Sequence, residues 1–344
     1  MKDGESQHAQ GLRGLRVLVT GGAGYVGAQV VLAALDAGLE VAVLDDLSTG
    51  FRSAVPAAAV FHQGSVADAE LVASILREHG TQAVLHFAAR TVVSDSVADP
   101  LGYYLANTAT SCALFGACAE AGVRKLVMSS TAAVYGPSEA ACVDETAPVV
   151  PASPYGWSKA MAERMLQDAA AAGTLDAVIL RYFNVAGADS TGRAGQSTTA
   201  ATHLVKAACQ AALGLRPRLE LFGTDWPTRD GTGLRDYIDV CDLAQAHLAA
   251  LAHVMGARGA HVFNIGTGRG YTVREVVEAV EAAAGRPLRL VERPRRPGDV
   301  AALVADPARA NAQLGWRAQR GLADMAATAL AWERRLIERA RSAA

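Results

Sequence analysis

The sequence predicts an α/β fold: a doubly wound parallel sheet followed by a smaller, loop-rich C-terminal substrate lobe. Three observations predict it. Short apolar runs alternate with longer helical stretches through the first half of the chain, and a glycine cluster ends the first run. Beyond about Asn184 that rhythm gives way to clusters of Gly, Pro and charged residues, at Gly187 to Gly195 and Gly223 to Gly233. Strands alternating with helices imply a parallel sheet covered on both faces. Loops gathered in one lobe suit contacts to a bound molecule.

The elements follow in order. Val17 to Thr20 reads as a buried strand, and Tyr25 to Ala37 as a helix closed by Gly38. Val41 to Leu44 is the next strand, ending at Asp45. Val60-Phe61 pairs with a helix over Asp68 to His79, and Ala83 to Phe87 with a long helix over Leu101 to Ala121. Lys125 to Ser129 precedes a helix over Tyr155 to Ala172, and Ala177 to Tyr182 closes the series. Val273 to Ala284 and Gly321 to Arg335 read as helices of the second lobe. Residues 14–184 are expected to form the first domain, with 236–263 returning to it, and 185–340 the second. Pro294 to Pro297 is a short biased patch, and no internal repeat is visible.

Composition bounds the function. A chain of 344 residues exceeds what one compact core usually holds, which favours two lobes. It is 51% hydrophobic and 19% charged, enough for a large core and against wholesale disorder. A net charge of -2 offers no basic surplus for nucleic acid or an acidic membrane. The five cysteines form no C-x-x-C pair and their number is odd, so neither a zinc site nor a disulfide framework is expected. A reducing cytoplasm fits them better. Met1 to Arg13 is polar, lacks the apolar core of a signal peptide, and reads as a frayed tail. No apolar run reaches membrane-spanning length.

Thr20 to Gly27 contains G-x-G-x-x-G after a strand and at the start of a helix, the context that makes this pattern informative. Glycines let the backbone approach a pyrophosphate, whose charge sits at the helix N-terminus. Asp45 ends the second strand about 20 residues on, where a carboxylate bonds the adenosine ribose. Asp46 adds a second negative charge. Both would repel the extra phosphate of NADP, so NAD is the expected cofactor and the first domain is expected to be Rossmann-like. By itself Asp46 could also be a solvated surface acid.

Tyr155 and Lys159 stand at i and i+4 and share a helix face. A free tyrosine has a pKa of about 10, so it needs help to act as a base near neutrality. A neighbouring ammonium and a positive nicotinamide both favour the phenolate. Thr131 follows a strand end, and its hydroxyl can donate to and accept from a sugar oxygen.

With these residues together, the chain resembles the extended short-chain dehydrogenase/reductase superfamily, and within it the UDP-glucose (UDP-galactose) 4-epimerases. The resemblance runs from about Leu15 to Trp332. It is carried by Thr20 to Gly27, Ser129 to Gly136, Pro154 to Lys159, Arg181 to Asn184, Phe222 to Asp225 and Asp230 to Ile238. It implies Tyr155 as base, Lys159 as its electrostatic partner and Thr131 as the catalytic hydroxyl. It implies a cofactor site of Gly21, Gly24, Tyr25, Val26, Gly27, Asp45, Asp46, Ser65, Val66, Phe87, Ala88, Ala89, Arg90, Asn107, Ser129 and Tyr182, shared with Tyr155 and Lys159. It implies a UDP-sugar site of Asn184, His203, Leu204, Phe222, Arg235, Arg296, Asp299 and Leu303, with Thr131 and Tyr155. There Phe222 would pack at the uracil, Arg235 and Arg296 would clamp the diphosphate, and Asp299 would bond the uridine ribose. Two arginines supply the fork geometry that a diphosphate takes.

The sequence also departs from the family pattern. Ser65-Val66 stands where an Asp and an aliphatic residue usually meet the adenine. Ala89-Arg90-Thr91 replaces a common Lys, with Arg90 a shifted source of charge. The activity implied is interconversion of UDP-glucose and UDP-galactose through a 4-keto sugar. A UDP-N-acetylhexosamine or UDP-uronate epimerase and a catalytically silent NAD-binding regulator are the alternatives. A 4,6-dehydratase is rejected, because Thr131 is followed by Ala132-Ala133, which cannot exchange protons. Leu303, four positions after Asp299, is expected to line the hexose pocket and disfavour an N-acetyl group. A homodimer is expected through the helices near Leu101 to Ala121 and Tyr155 to Ala172. In the second of these, Ala160 and Ala171 lie among Met161, Met165 and Leu166. No metal is expected.

Overall fold

The computed structural model describes residues 11–136, 142–198, 202–296 and 299–342. Most of the tail up to Arg13, and Pro297, lie outside the described residues. In chain order the elements begin with β1 (Arg16–Thr20), α1 (Tyr25–Asp36), β2 (Glu40–Asp45), β3 (Val60–Gln63), α2 (Ala69–Glu78) and β4 (Ala83–His86). Then come α3 (Val93–Ala98), α4 (Pro100–Tyr103), a π-helical turn (Tyr104–Ala109) and α5 (Thr110–Glu120). They are followed by β5 (Lys125–Thr131), β6 (Cys142–Val143), α6 (Pro154–Ala171), β7 (Asp176–Tyr182), β8 (Asn184–Ala186), α7 (Leu204–Ala212) and β9 (Leu219–Phe222). The remainder is β10 (Leu234–Asp239), α8 (Val240–Gly256), β11 (Ala260–Ile265), β12 (Gly270–Thr272), α9 (Val273–Ala284), β13 (Leu290–Arg293), β14 (Ala302–Ala305), α10 (Ala308–Gln313) and α11 (Leu322–Ser342).

Seven strands form one parallel sheet in the order β11-β7-β5-β4-β1-β2-β3. Its double winding is written residue by residue. Val17, Val19, Val41, Val43, Ala83, Leu85, Val127, Val178 and Leu180 point into one apolar layer with α1 and α8. Their neighbours Leu18, Ala42, Leu44, Val84, Leu126, Met128, Ala177 and Ile179 point into another with α2, α5 and α6. Alternate side chains of a strand leave opposite faces, so a run apolar at every position buries both. The order reverses between β1 and β4, which leaves a crevice at the C-terminal ends of those strands.

A second sheet pairs β12-β10-β14-β6, with β8 against β10, and β13 pairs β9. A third apolar layer gathers α7, α9 and α11 against β9 and β10.

Four helices differ from the sequence expectation. The long helix before β5 is interrupted by the π turn, which starts beside the α4 cap made by Asp99. Helices α7 and α8 lie where only a loosened rhythm is legible in the sequence. Both are rich in alanine, and α8 is buried along most of its length and shows no one-sided apolar stripe. Helix α11 runs past Arg335 to Ser342.

Candidate active site

Four groups of residues gather around the crevice. The first is the turn from β1 into α1. Gly21 has φ +70, and a Cβ there would meet the Ala88 nitrogen at 2.6 Å. A Cβ on Gly27 would lie 2.2 Å from the Gly21 carbonyl oxygen. Gly24 is the N-cap and no side chain caps α1, so its opening turn faces the crevice as an anion site built of backbone. Tyr25 donates from its hydroxyl to the Gly187 carbonyl at 2.6 Å, and Val26 packs on the core. At the end of β2, buried Asp45 accepts from the Ala23 and Leu47 amides at 2.9 and 2.8 Å. Burial raises its carboxyl above the usual range, while these two amides oppose the rise. Each oxygen keeps a lone pair for a ribose hydroxyl.

Asp46 is exposed and accepts from the Ser48 amide at 2.9 Å, a turn-forming role. Ser65 accepts from the Ala67 amide at 3.1 Å on the surface, and only Val66 is buried. After β4, the Phe87 ring lies 4.7 Å from that of His247. Ala88 and Ala89 follow, half-buried, with Ala88 against the Gly21 turn. The Arg90 guanidinium bonds Asp99 at 2.6 Å and lies 4.3 Å over the Tyr103 ring. Its charge is thus paired with Asp99, the N-cap of α4. Asn107, in the π turn, closes a ring of bonds. Its Oδ1 accepts from the Arg90 amide at 2.8 Å, and its Nδ2 donates to the Arg90 carbonyl and to Ser158 Oγ, both at 2.9 Å. It thereby ties the cofactor-side loop to the helix that carries Tyr155.

The second group is the reacting centre. Ser153 caps α6 by accepting from the Gly156 amide, and Pro154 occupies its first turn. One turn in, Tyr155 and Lys159 are both buried. Thr131 ends β5 in register with Tyr182 of β7, and its hydroxyl lies close enough to the Tyr155 phenol to favour the ionised form. Ser129 and Tyr182 share a hydrogen bond. Burial holds the Tyr155 phenol above its ordinary value. Tyr182 adds to this, the Thr131 hydroxyl opposes it, and Tyr103 pushes it further up. Burial also lowers the Lys159 ammonium to about 8, and Glu163 pulls the other way.

The third group comes from the second sheet. Arg235 of β10 stands in register with Leu303 of β14, and its Nη2 lies 3.7 Å from Asp299. Leu303 packs with Ala132, Tyr135 and Phe183, which places it beside the loop that follows Thr131. Asn184 opens β8 opposite Tyr237 and favours the ionised form of its phenol, which burial opposes more strongly. The fourth is the end of β9, where Arg296 lies 3.9 Å over the Phe222 ring. His203 and Leu204 lie at the start of α7. His203 caps α7, bonds Gln196, and shares a small cavity with Tyr25, Lys206 and Glu333. Leu204 packs on the third apolar layer.

Sequence reasoning missed Tyr103, Glu163 and Arg181. Tyr103 meets Tyr155 edge-on, with ring centroids 6.4 Å apart. Glu163 was within reach of the reading, since it extends the i, i+4 stripe of Tyr155 and Lys159 by one more turn.

A parallel sheet with a glycine turn at its switch point, a buried carboxylate ending β2 and a Tyr and Lys one helical turn apart beside a Thr at a strand end defines a dinucleotide-dependent enzyme of the short-chain dehydrogenase/reductase type. The chain belongs to the NAD dependent epimerase/dehydratase family, whose model matches residues 17–266. It is 53% identical to the UDP-glucose 4-epimerase of Azospirillum brasilense over 93% of this chain and 92% of the relative. It is 41% identical to that of Bacillus subtilis (strain 168) over 93% and 97%. Its fold is similar to the crystal structure of a UDP-glucose-4-epimerase from Stenotrophomonas maltophila with bound NAD and formylated UDP-arabinopyranose. The TM-score is 0.92 at 39% identity, covering 94% of this chain and 99% of that one. A Bifidobacterium longum UDP-glucose 4-epimerase in complex with NAD+ and UDP matches with TM-score 0.88 at 36% identity, over 93% and 98%.

Proposed function

We propose that this chain interconverts UDP-glucose and UDP-galactose by inverting the sugar at C4, with NAD as its cofactor. The observation that carries the reading is buried Tyr155, beside Thr131 and one turn from Lys159, at the C-terminal edge of the parallel sheet that also carries the glycine turn.

NAD fits the residues present. Gly21 and Gly27 leave no room for side chains where the backbone must approach a pyrophosphate, and Asp45 presents a carboxylate at the end of β2. Gly24, Tyr25, Val26, Phe87, Ala88, Ala89, Asn107, Ser129 and Tyr182 complete the wall of the proposed site. The surface residues Asp46, Ser65 and Arg90 border it, with Val66 beneath. NAD supplies the acceptor and donor of hydride, so the sugar passes through a 4-ketone. Tyr155 takes the 4-hydroxyl proton on the outward step and returns it on the opposite face. Lys159 stabilises the phenolate, and Thr131 orients the sugar oxygen. Arg235 and Arg296 hold the diphosphate, Asp299 the ribose and Phe222 the uracil, so the nucleotide is anchored while the hexose turns. Asn184 and Leu303 face the hexose, and His203 and Leu204 stand further out. Residues 14–184 with 236–263 form the cofactor domain in this reading, and 185–340 the substrate lobe.

Purified protein mixed with UDP-galactose should yield UDP-glucose, and denaturing it should release NAD. Failure to convert either UDP-hexose, with NAD present, would overturn the reading.

A homodimer in the cytoplasm completes it. Leu101, Leu105 and Val97 are 73%, 65% and 66% exposed, and Trp157 and Met161 add 41% and 42%, on neighbouring faces of α3–α5 and α6. Such a contiguous apolar patch favours a second copy. Ala160 and Leu166, which the sequence placed on this face, instead pack inside the monomer. No described helix is long and apolar enough to cross a membrane, and Cys112, Cys118, Cys142, Cys209 and Cys241 are free thiols. Light scattering should give a mass of two chains, and Leu105→Glu should give one.

A further inference from the structure

We propose that Glu163 and Arg181 are positioning residues for the epimerisation: their buried ion pair supplies a fixed countercharge to Lys159 and locks the catalytic helix to the strand ends that carry Thr131 and Tyr182. This rests on the function proposed above.

The geometry is a fork. Arg181 Nε donates to both Glu163 oxygens at 3.1 Å, and Nη2 donates to Oε2 at 2.6 Å. Ser130 donates to Oε1 from the residue before Thr131. The side chains are 4% and 3% exposed. Arg181 Nη1 donates to the Tyr135 hydroxyl at 3.1 Å, which donates in turn to Asn264 Oδ1 at 2.6 Å. Asn264 then binds Glu145 through its amide at 2.6 Å and the Val143 carbonyl at 2.9 Å. One carboxylate therefore ties α6 to β5 and β7, and its arginine extends the tie to β11 and β6.

Burying such a pair takes two charges out of water, and a well-packed apolar pair in its place is often neutral or more stable. Stability alone therefore does not explain its presence. Its position does. Tyr155, Lys159 and Glu163 follow one another at i, i+4 and i+8 on one helix face, and Glu163 is the carboxylate that favours the charged Lys159. With its oxygens held by Arg181 and Ser130, Glu163 cannot swing towards the ammonium or away from it. Glu163 thereby helps Lys159 keep its proton against burial, one helical turn from Tyr155. The other titratable groups facing this cluster are Tyr103 from α4, His86 from β4, Tyr182 from β7, and Tyr135 and Glu145 after β5. His86 is held neutral by burial and by Lys159, with its pKa at about 3, and it adds no charge.

The test is the pH profile of kcat for the NAD-loaded full chain converting UDP-galactose to UDP-glucose. Absence of wild-type turnover would count against the proposed function, not against this pair. Given wild-type turnover, Glu163→Gln should move the alkaline limb down by about one pH unit, because Lys159 then loses its proton sooner. Arg181→Lys, which keeps the cation but not the fork, should lower kcat and leave the limb in place. Glu163→Asp should fall between wild type and Glu163→Gln, since Coulomb attraction weakens as the carboxylate retracts. It carries the test if Glu163→Gln does not fold. A limb that stays at its wild-type position in whichever Glu163 variant folds and retains NAD would show a merely structural pair and overturn the proposal.

Discussion

The two ends of the crevice are built differently. Around Tyr155 and the end of β2 the carboxylates are buried and held by several partners: Glu163 by Arg181 and Ser130, Asp45 by two backbone amides. At the substrate end the charges are looser. Arg235 and Asp299 are 3.7 Å apart with side chains 19% and 40% exposed, and Arg296 lies on Phe222 at the surface. A reaction in which hydride and proton must leave and return along fixed lines needs a rigid floor. A substrate that is gripped by its nucleotide while its sugar turns needs adjustable arms and a smooth wall such as Leu303. The contrast teaches that one fold can place rigidity and adaptability a few residues apart, in the main sheet and in the second sheet.

The largest expected effect lies on the floor. Tyr155→Phe should lower kcat by about a hundredfold to ten-thousandfold, the range of a positioned base. UDP affinity should stay near wild type, because the arms are untouched. Turnover like that of the wild type would remove Tyr155 from the mechanism and erase the contrast.

At the arms, Arg235→Ala should raise the Kd for UDP by roughly ten- to a hundredfold, the loss of one charged hydrogen bond. NAD content should not change. A variant that binds UDP normally but loses NAD would show that the two ends are not separate.

The smallest effect concerns the wall. Leu303 offers no hydrogen bond to an acetamide, and burying that amide unpaired costs roughly 1–3 kcal/mol. The wild type should therefore prefer UDP-glucose and UDP-galactose over their N-acetyl counterparts by about tenfold to a hundredfold in kcat/KM. Leu303→Ser should narrow the preference. Equal rates on both pairs in the wild type would show that neighbouring residues shape the pocket.

The sequence alone determined what depends on local chain geometry. Strands apolar at every position dictate a two-faced sheet, the glycine run after β1 dictates a close backbone approach, and Tyr155 and Lys159 at helical spacing must share a face. Helix α8 escaped the reading because a helix buried on most sides carries no one-sided pattern. Only the tertiary structure decided which distant charges meet. Arg90 turns to Asp99 and Tyr103, Leu303 comes into register with Arg235, and Arg181 crosses from β7 to close on Glu163. Spacing along the chain constrains neighbours within a turn or a strand. Pairings between elements follow from how the sheet orders its strands and how helices settle on it, and one sequence does not display those long-range contacts.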